Sequence, residues 1–373
     1  MNFFHHNKPP HSGDEPRTTA TQWQLMWWKF KDHRLAHWSL YALLALYFTA
    51  AAWEFLAPHD PLQREARLSY SPPQRIHVFH QGRLCRPFVY PQIQHMDSET
   101  SARTYTEDTS TPQPIRLFTQ GDSYQFWGVL SMSRHLFALA GNAPLRLLGS
   151  DRLGRDLLSR VLKGSRVSLS IGFAGVFLSL LLGVFIGGIS GYYGGWIDTA
   201  IQRFIEILRS FPAIPLWLAL SAAMPADWPE MRVYFFMTVI LAIIGWTDLA
   251  RVVRGKFLSL REEDYVLAAK VAGVSEPLII ARHLGPGVLS HLIVTATLAV
   301  PNMVLAETSL SFLRLGLRPP AVSWGVLLQD AQNIRAVALY PWLMTPVLFV
   351  IATVLLFNFL GDGLRDAADP YRN

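Results

Sequence analysis

Charge is what this 373-residue sequence has least of: Asp, Glu, Lys and Arg make up 16% of it, while 51% is hydrophobic. A soluble globular chain carries about 25% charged residues, so a soluble enzyme is not the expectation. Cysteine is nearly absent. Cys85 stands alone, which excludes an intrachain disulfide and leaves the redox compartment unread. Catalytic signatures are missing too. There is no G-x-x-x-x-G-K-[ST] phosphate cradle: Lys163-Gly164-Ser165 lacks the preceding glycine, and the run from Gly187 to Gly195 lacks the lysine. Neither H-E-x-x-H nor C-x-x-C occurs, and His5-His6 sits in a polar tail. Gly188-Ile189-Ser190-Gly191 has the wrong spacing for a nucleophile elbow. No catalytic, cofactor or metal site is expected in this chain.

What is present is long apolar runs. A helix rises about 1.5 Å per residue, so roughly 20 apolar residues cross a hydrocarbon core of about 30 Å. Six segments meet that length: 38–57, 167–192, 202–224, 233–253, 289–312 and 340–360. The expected fold is an all-α polytopic membrane protein with six transmembrane helices. Its parts are an N-terminal tail (1–37), a first crossing (38–57), an insertion (58–165) and a core with the other five crossings (166–373). No cleavable signal peptide is expected, because the first apolar run begins only at Trp38.

The tail carries Pro9, Pro10 and Pro16, then Trp27-Trp28-Lys29-Phe30-Lys31, an aromatic–basic patch suited to the headgroup level. The insertion is punctuated by Pro72-Pro73, Pro87, Pro91, Pro112 and Pro114, with alternating pieces such as Ile76-His77-Val78-Phe79. That pattern predicts strands and turns. Its length exceeds a simple connection, and its aromatic content argues for a folded unit. Basic residues gather between the fourth and fifth crossings (Arg251, Arg254, Lys256, Arg261, Lys270, Arg282) and in the tail (Lys8, Arg17, Lys29, Lys31, Arg34). Between the third and fourth only Arg232 stands, against Asp227 and Glu230. The positive-inside rule then places both termini in the cytoplasm and the insertion outside it. The formal charge of +6 reads as this orientation signal, and no nucleic acid is expected as a partner.

A small-residue ridge at spacing four, Gly175, Ser179, Gly183, Gly187, Gly191 and Gly195, predicts close helix packing. Pro212, Pro215 and Pro301 should bend their helices. Glu206 and Arg209 read as a local i,i+3 ion pair. Glu307, beside Thr308 and Ser309, reads either as part of a solute path or as a structural hydrogen-bond group. In segment 261–286 two short helices are expected. The first has acids in its opening turn and a cap at Gly273. The second starts at Ser275 and stops at Gly285-Pro286. Ala268 and Ala269 offer a small surface on which another protein can seat.

This segment resembles the EAA loop of ABC-importer permeases through Ala268-Ala269, Gly273, Ile279-Ile280, Arg282-His283 and Pro286, with Leu267 where the family has glutamate and Gly285-Pro286 for Leu-Pro. Other stretches are similar to the second (C-type) permease subunit of the dipeptide/oligopeptide/nickel branch. They are Leu148-Gly149-Ser150-Asp151-Arg152-Leu153-Gly154-Arg155-Asp156, Gly191-Tyr192-Tyr193-Gly194-Gly195-Trp196-Ile197-Asp198 and Ala250-Arg251-Val252-Val253-Arg254-Gly255. Leu310-Ser311-Phe312-Leu313, Pro319-Pro320 with Ser323-Trp324-Gly325, and Gly361-Asp362-Gly363-Leu364-Arg365-Asp366 before Asp369-Pro370 complete the set. The resemblance implies a binding-protein-dependent importer in a bacterial inner membrane, with di- or oligopeptides as the expected solute. It implies as partners a homologous permease subunit, two ABC ATPases that hold ATP and Mg, an extracytoplasmic solute-binding protein and membrane lipid. Ala268, Ala269, Gly273, Ile280, Arg282 and Pro286 would couple to the ATPases, and Glu307 and Pro301 are candidates for the translocation path. The competing class, a stand-alone ion-coupled secondary transporter working through Glu307 or Asp248, calls for an inverted repeat that the sequence does not display.

Overall fold

The computed structural model describes residues 22–96, 103–139, 144–225 and 227–368. The proline-bearing start of the tail, residues 97–102 and 140–143 of the insertion, Ala226 and the terminal Asp369-Pro370 lie outside them. The aromatic–basic patch is helical, α1 (Gln22–Asp32). Its Phe30 is buried beside Gly363, while Trp27 stacks on Phe30 and lies under Lys31. The first expected crossing is two pieces, α2 (Arg34–Ala51) and α3 (Trp53–Leu56), broken at Ala52. His33 Nδ1 accepts the Ala36 N–H and starts α2 ahead of the apolar run.

Period-two patterning becomes β-structure after Pro58. Strands β1 (His77–His80) and β2 (Arg83–Val89) are joined by Gln81 and Gly82, both left-handed at φ 48° and 77°. A two-residue hairpin turn requires that conformation. β3 (Gln92–Met96) and β4 (Arg103–Glu107) form a separate antiparallel ribbon. β5 (Gln113–Phe126) and β6 (Leu130–Leu139) complete a four-stranded sheet of order β1-β2-β5-β6. The β5–β6 tip is pinned to the helices. Trp127 Nε1 donates to the Ala51 carbonyl, Arg166 stacks 3.8 Å from the Trp127 ring, and the same guanidinium pairs with buried Glu54.

The helical core follows. α4 (Leu157–Tyr193) runs 37 residues, starting ten before the apolar segment the sequence marks. Asp156 causes the early start, because its carboxylate accepts the Ser159 N–H at 2.8 Å and the Ser159 hydroxyl. The third expected crossing is not one bent helix. α5 (Gly195–Ser210) and α6 (Ala213–Ala222) meet at 79°. Pro212 lacks an N–H and forces Phe211 to extended backbone. Then come α7 (Glu230–Leu260), α8 (Asp264–Val271), α9 (Glu276–Ile279) and α10 (Gly285–Phe312). Short α11 (Trp324–Leu327) and α12 (Ile334–Leu339) lead to α13 (Thr345–Ala368). Among the described residues four helical segments are long and apolar enough to cross a membrane, or five if α5–α6 is one broken span. The polar residues of α2, such as Arg34, His37 and Thr49, keep it out of that count.

α4 shows how the core is built. Phe173, Phe177, Leu181 and Phe185 recur at spacing four and are all exposed. The buried glycine ridge lies on the opposite face. Large apolar groups outside and small groups inside is the arrangement lipid favours, since helices in a bilayer associate by close packing. A Cβ at Gly183 would meet Leu249 Cβ at 2.6 Å, and one at Gly191 would meet Phe257 Cβ at 2.6 Å. Gly187 sits directly on the Ala250 backbone. A Gly187→Leu change should therefore force α4 and α7 apart and cost about 1–3 kcal/mol or more. Thermal unfolding in detergent should show a lowered Tm, whereas Gly255→Ala, with open space around it, should not lower it. An unshifted Gly187→Leu protein would refute the close approach.

Candidate functional site

The EAA-like segment sits at the end of the bundle where α4 and α7 finish. α8 opens with Asp264 and closes on Gly273 at φ 73°. Val274 N–H donates to Ala269 O at 3.1 Å and Gly273 N–H to Lys270 O at 3.0 Å, the paired closure of a Schellman cap. Val266, Ala269, Ile279, Leu284 and Val288 bury against Tyr192, Val253 and Phe257, with Ile280 packed at the margin. Ala268 is exposed, flanked by Leu267 and by Val271, which is 91% exposed. Ala269 is only 9% exposed, so the two-alanine surface read from sequence is one alanine; helical spacing turns its neighbour inward.

The second helix does not stop at Gly285-Pro286. A π-turn, residues 280–284, carries α9 into α10, with the Gly285 N–H bonded to Ile280 O. The wider turn gives Pro286 room where an α-turn would clash. Arg282 and Pro286 are exposed, and His283 lies near the Tyr265 ring.

Two quoted motifs meet beside this platform. Arg254 grips Asp198 with Nε at 2.5 Å and Nη2 at 2.6 Å, and Ser190 donates to the same carboxylate. Arg261 Nη1 donates to the carbonyls of Gly191 and Tyr192. Sequence spacing missed this pairing because the partners lie 56 positions apart. It also misassigned a closer one. Glu206 pairs with Arg203 at 2.8 Å, not with Arg209, which reaches Asp248 on α7. Arg203 and Arg209 both stand three positions from Glu206, and spacing alone does not choose between them.

Glu307 is fully buried. Ser168 donates to its Oε2 and Ser311 to its Oε1, both at 2.8 Å. Each hydroxyl also accepts a backbone N–H, Ser168 from Trp324 and Ser311 from Leu317, both at 3.1 Å. Helices α4 and α10, the 313–323 loop and the start of α11 thus converge on one carboxylate. Pro301 is buried on the same helix.

At the β end, Asp151 accepts the backbone N–H groups of Leu153 and Arg155 and pairs with the Arg155 and Arg160 guanidiniums. Ser71 and Ser150 exchange hydrogen bonds, and His59 Nε2 accepts the Leu145 N–H at 2.9 Å. Among the described residues no three His, Cys, Asp or Glu side chains are placed to hold a metal ion.

Comparison with known proteins places this architecture. The family model "Binding-protein-dependent transport system inner membrane component" matches residues 180–372, and "N-terminal TM domain of oligopeptide transport permease C" matches residues 21–73. The oligopeptide transport system permease protein OppC of Haemophilus influenzae is 44% identical over 223 residues, 60% of this chain and 69% of that protein. OppC of Escherichia coli (strain K12) is 43% identical over 223 residues, covering 60% of this chain and 71% of its own. The dipeptide transport system permease protein DppC of Alkalihalophilus pseudofirmus is 38% identical over 233 residues, 62% and 74%. The chain belongs to the family of binding-protein-dependent inner-membrane transport components. Within it the chain is a C-type permease of an ABC importer, a multi-pass protein of the inner membrane.

The β end carries a pH signature. Burial, with the Arg146 and His135 charges beside it, pushes His59 from 6.5 down to about 3. The folded imidazole stays neutral where the unfolded one is protonated, so its stabilisation is complete above about pH 6.5 and drains as pH falls toward 3. Tm should fall more steeply between pH 7 and 4.5 in the native protein than in His59→Gln. Parallel slopes would contradict a half-buried, neutral His59.

Proposed function

We propose that this chain is one of two homologous permease subunits of an ATP-driven importer of di- or oligopeptides, served by an extracytoplasmic binding protein and two cytoplasmic ATPases that hold ATP and Mg. The observation that carries the coupling role is a short helix with an outward face of Leu267, Ala268 and Val271 whose inward face is bolted to α4, α7 and α10. Apolar exposure of that kind marks a protein contact. The face that packs inward, with Ala269 and Ile280, holds the helix in place. Gly273 ends it, and Arg282 and Pro286 border the contact. The relatives OppC and DppC are oligopeptide and dipeptide permeases by name, which supports the peptide class.

In this reading the α2–α3 segment and the broken α5–α6 pair complete six crossings, both termini are cytoplasmic, and the β insertion stands outside. The six-crossing count gives the EAA-like segment and the tail the same side, in keeping with the basic residues of both. Glu307 and Pro301 shape α10 from behind, and the exposed Asn302, Leu305 and Ser309 of the same helix border the path. ATPase closure pushes on α8, and the π-linked α9–α10 segment carries the push into the bundle.

Two experiments test this. In a Cys85→Ser background, a membrane-impermeant thiol reagent should label Ser110→Cys from outside and Ser275→Cys only after lysis; the reverse pattern overturns the topology. Gly273→Val places a β-branched residue in a left-handed cap. It should abolish peptide uptake and peptide-stimulated ATP hydrolysis in the reconstituted complex while leaving membrane insertion intact. Normal uptake by Gly273→Val would defeat the coupling assignment.

A further inference from the structure

A cavity of about 490 Å³ opens in the β insertion between the four-stranded sheet and the β3–β4 ribbon, floored by Glu65–Leu68 and Arg146. Its lining is polar in a particular way. Gln74 and Gln92 also reach it, but their amides are spent on the fold: Gln74 Oε1 accepts the Arg146 N–H at 2.7 Å, and Gln92 Nε2 donates to Pro72 O at 3.0 Å. Gln94 and Gln113, both half-buried in the wall, have no side-chain hydrogen bond among the described residues.

The charge is unbalanced. Glu65 takes Arg146 Nη2 at 3.2 Å. Arg146 is 3% exposed, and its Nε has no partner among the described residues. Arg67 lines the same space, is exposed, and makes no side-chain contact with a charged or polar group among the described residues. One carboxylate stands against two guanidiniums, so the cavity favours an anionic group.

The third feature is an open strand edge. Asp108 N–H donates to Pro91 O, and Gln92 stands opposite Glu107 and Gln94 opposite Tyr105. In an antiparallel ribbon this register sends the backbone groups of Ile93 and His95 to β4 and those of Gln92 and Gln94 to the other edge. That other edge is where the cavity lies, since β3 lines it and β4 does not. No strand covers it among the described residues. A free strand edge with flanking side-chain pockets is how extended peptides are held by β-addition.

We infer that this cavity is a binding subsite for short peptides with a free C-terminal carboxylate, which pair with the β3 edge, are held by the Gln94 and Gln113 amides, and place the carboxylate against Arg67. The inference rests on the peptide reading above and deepens it, by giving the permease its own point of solute contact in the insertion. Arginine suits the role because its planar fork matches a carboxylate at two points. Arg146 is held and balanced by Glu65, so the surplus positive charge of the cavity is that of Arg67.

The test is calorimetric titration of the full-length protein in nanodiscs with tetra-alanine and with tetra-alanine amide. Tetra-alanine should bind, and the amide should bind at least tenfold more weakly. Arg67→Glu should weaken tetra-alanine at least tenfold and Gln94→Ala several-fold; both positions lie outside the buried framework, so the fold is kept. Absence of binding, or equal binding of acid and amide, or full affinity in Arg67→Glu, overturns the subsite. In the complete transporter Arg67→Glu should raise KM for tetra-alanine uptake and leave kcat unchanged. Uptake without any binding to the isolated chain would remove the cavity and leave the transport reading standing. Binding with no uptake would remove the transport reading and keep the cavity.

Discussion

The backbone approach of α4 to α7 is the constraint on which the rest depends. Gly183, Gly187 and Gly191 leave no side chain between the helices, and Leu249, Ala250, Arg254 and Phe257 fill the space. That contact ends where the platform begins. Gly191 and Tyr192 offer their carbonyls to Arg261, and Asp198, just past the turn at Gly194, meets Arg254. Tyr192, Val253 and Phe257 then form the floor on which Val266 and Ile279 rest. Were the two helices held apart by ordinary side chains, the arginines of α7 would miss the turn after α4, and α8 would have no seat.

Inside an apolar bundle an ionisable group is costly unless it is fully engaged. Glu307 is engaged at both oxygens by serine hydroxyls, each of which is held in turn by a backbone N–H. It ties α4 to α10 and fixes the loop that brings Trp324 into the core, where the indole donates to Val161 O. Asp248 is the contrast. It is exposed, and its charge meets that of Arg209 at the surface. Each carboxylate has its partners within the described residues, Glu307 in the core and Asp248 at the surface.

Local chemistry was legible in the sequence wherever one residue decides the outcome. Gly273 closes α8 because only a left-handed residue permits the paired cap. The ridge from Gly175 to Gly191 faces inward because spacing four keeps one helical face, whereas Gly195, past the end of α4, is exposed. The prolines and alternating residues after Pro58 exclude long helices, and strands fill the stretch. What escaped were features set by distant partners. α4 starts at Leu157 because the Asp156 carboxylate caps it by accepting from Ser159, although residues 157–166 look polar. Pro212 breaks its helix outright, where a bend was the expectation, because Phe211 goes extended. The Gly285-Pro286 stop fails because a π-turn absorbs the proline, and helical hydropathy has no signature for that wider turn. Of the candidate coupling residues, Ala268 faces out as read. Ala269 turns inward because the floor beneath it, made by Tyr192 and Phe257, is invisible until α4 and α7 are placed.

The π-turn has a mechanical meaning. With it, Glu276 to Phe312 is one 37-residue helical segment, and Glu307, held by its serines, is a natural fulcrum near the far end. Glu276 lies about 46 Å from that fulcrum along the helix axis, so a tilt of about 5° displaces it by roughly 4 Å. Read in the other direction, a displacement of a few ångströms at α8 and α9 becomes only a small rotation at Glu307, delivered with correspondingly multiplied force. The segment is geared for leverage rather than for stroke.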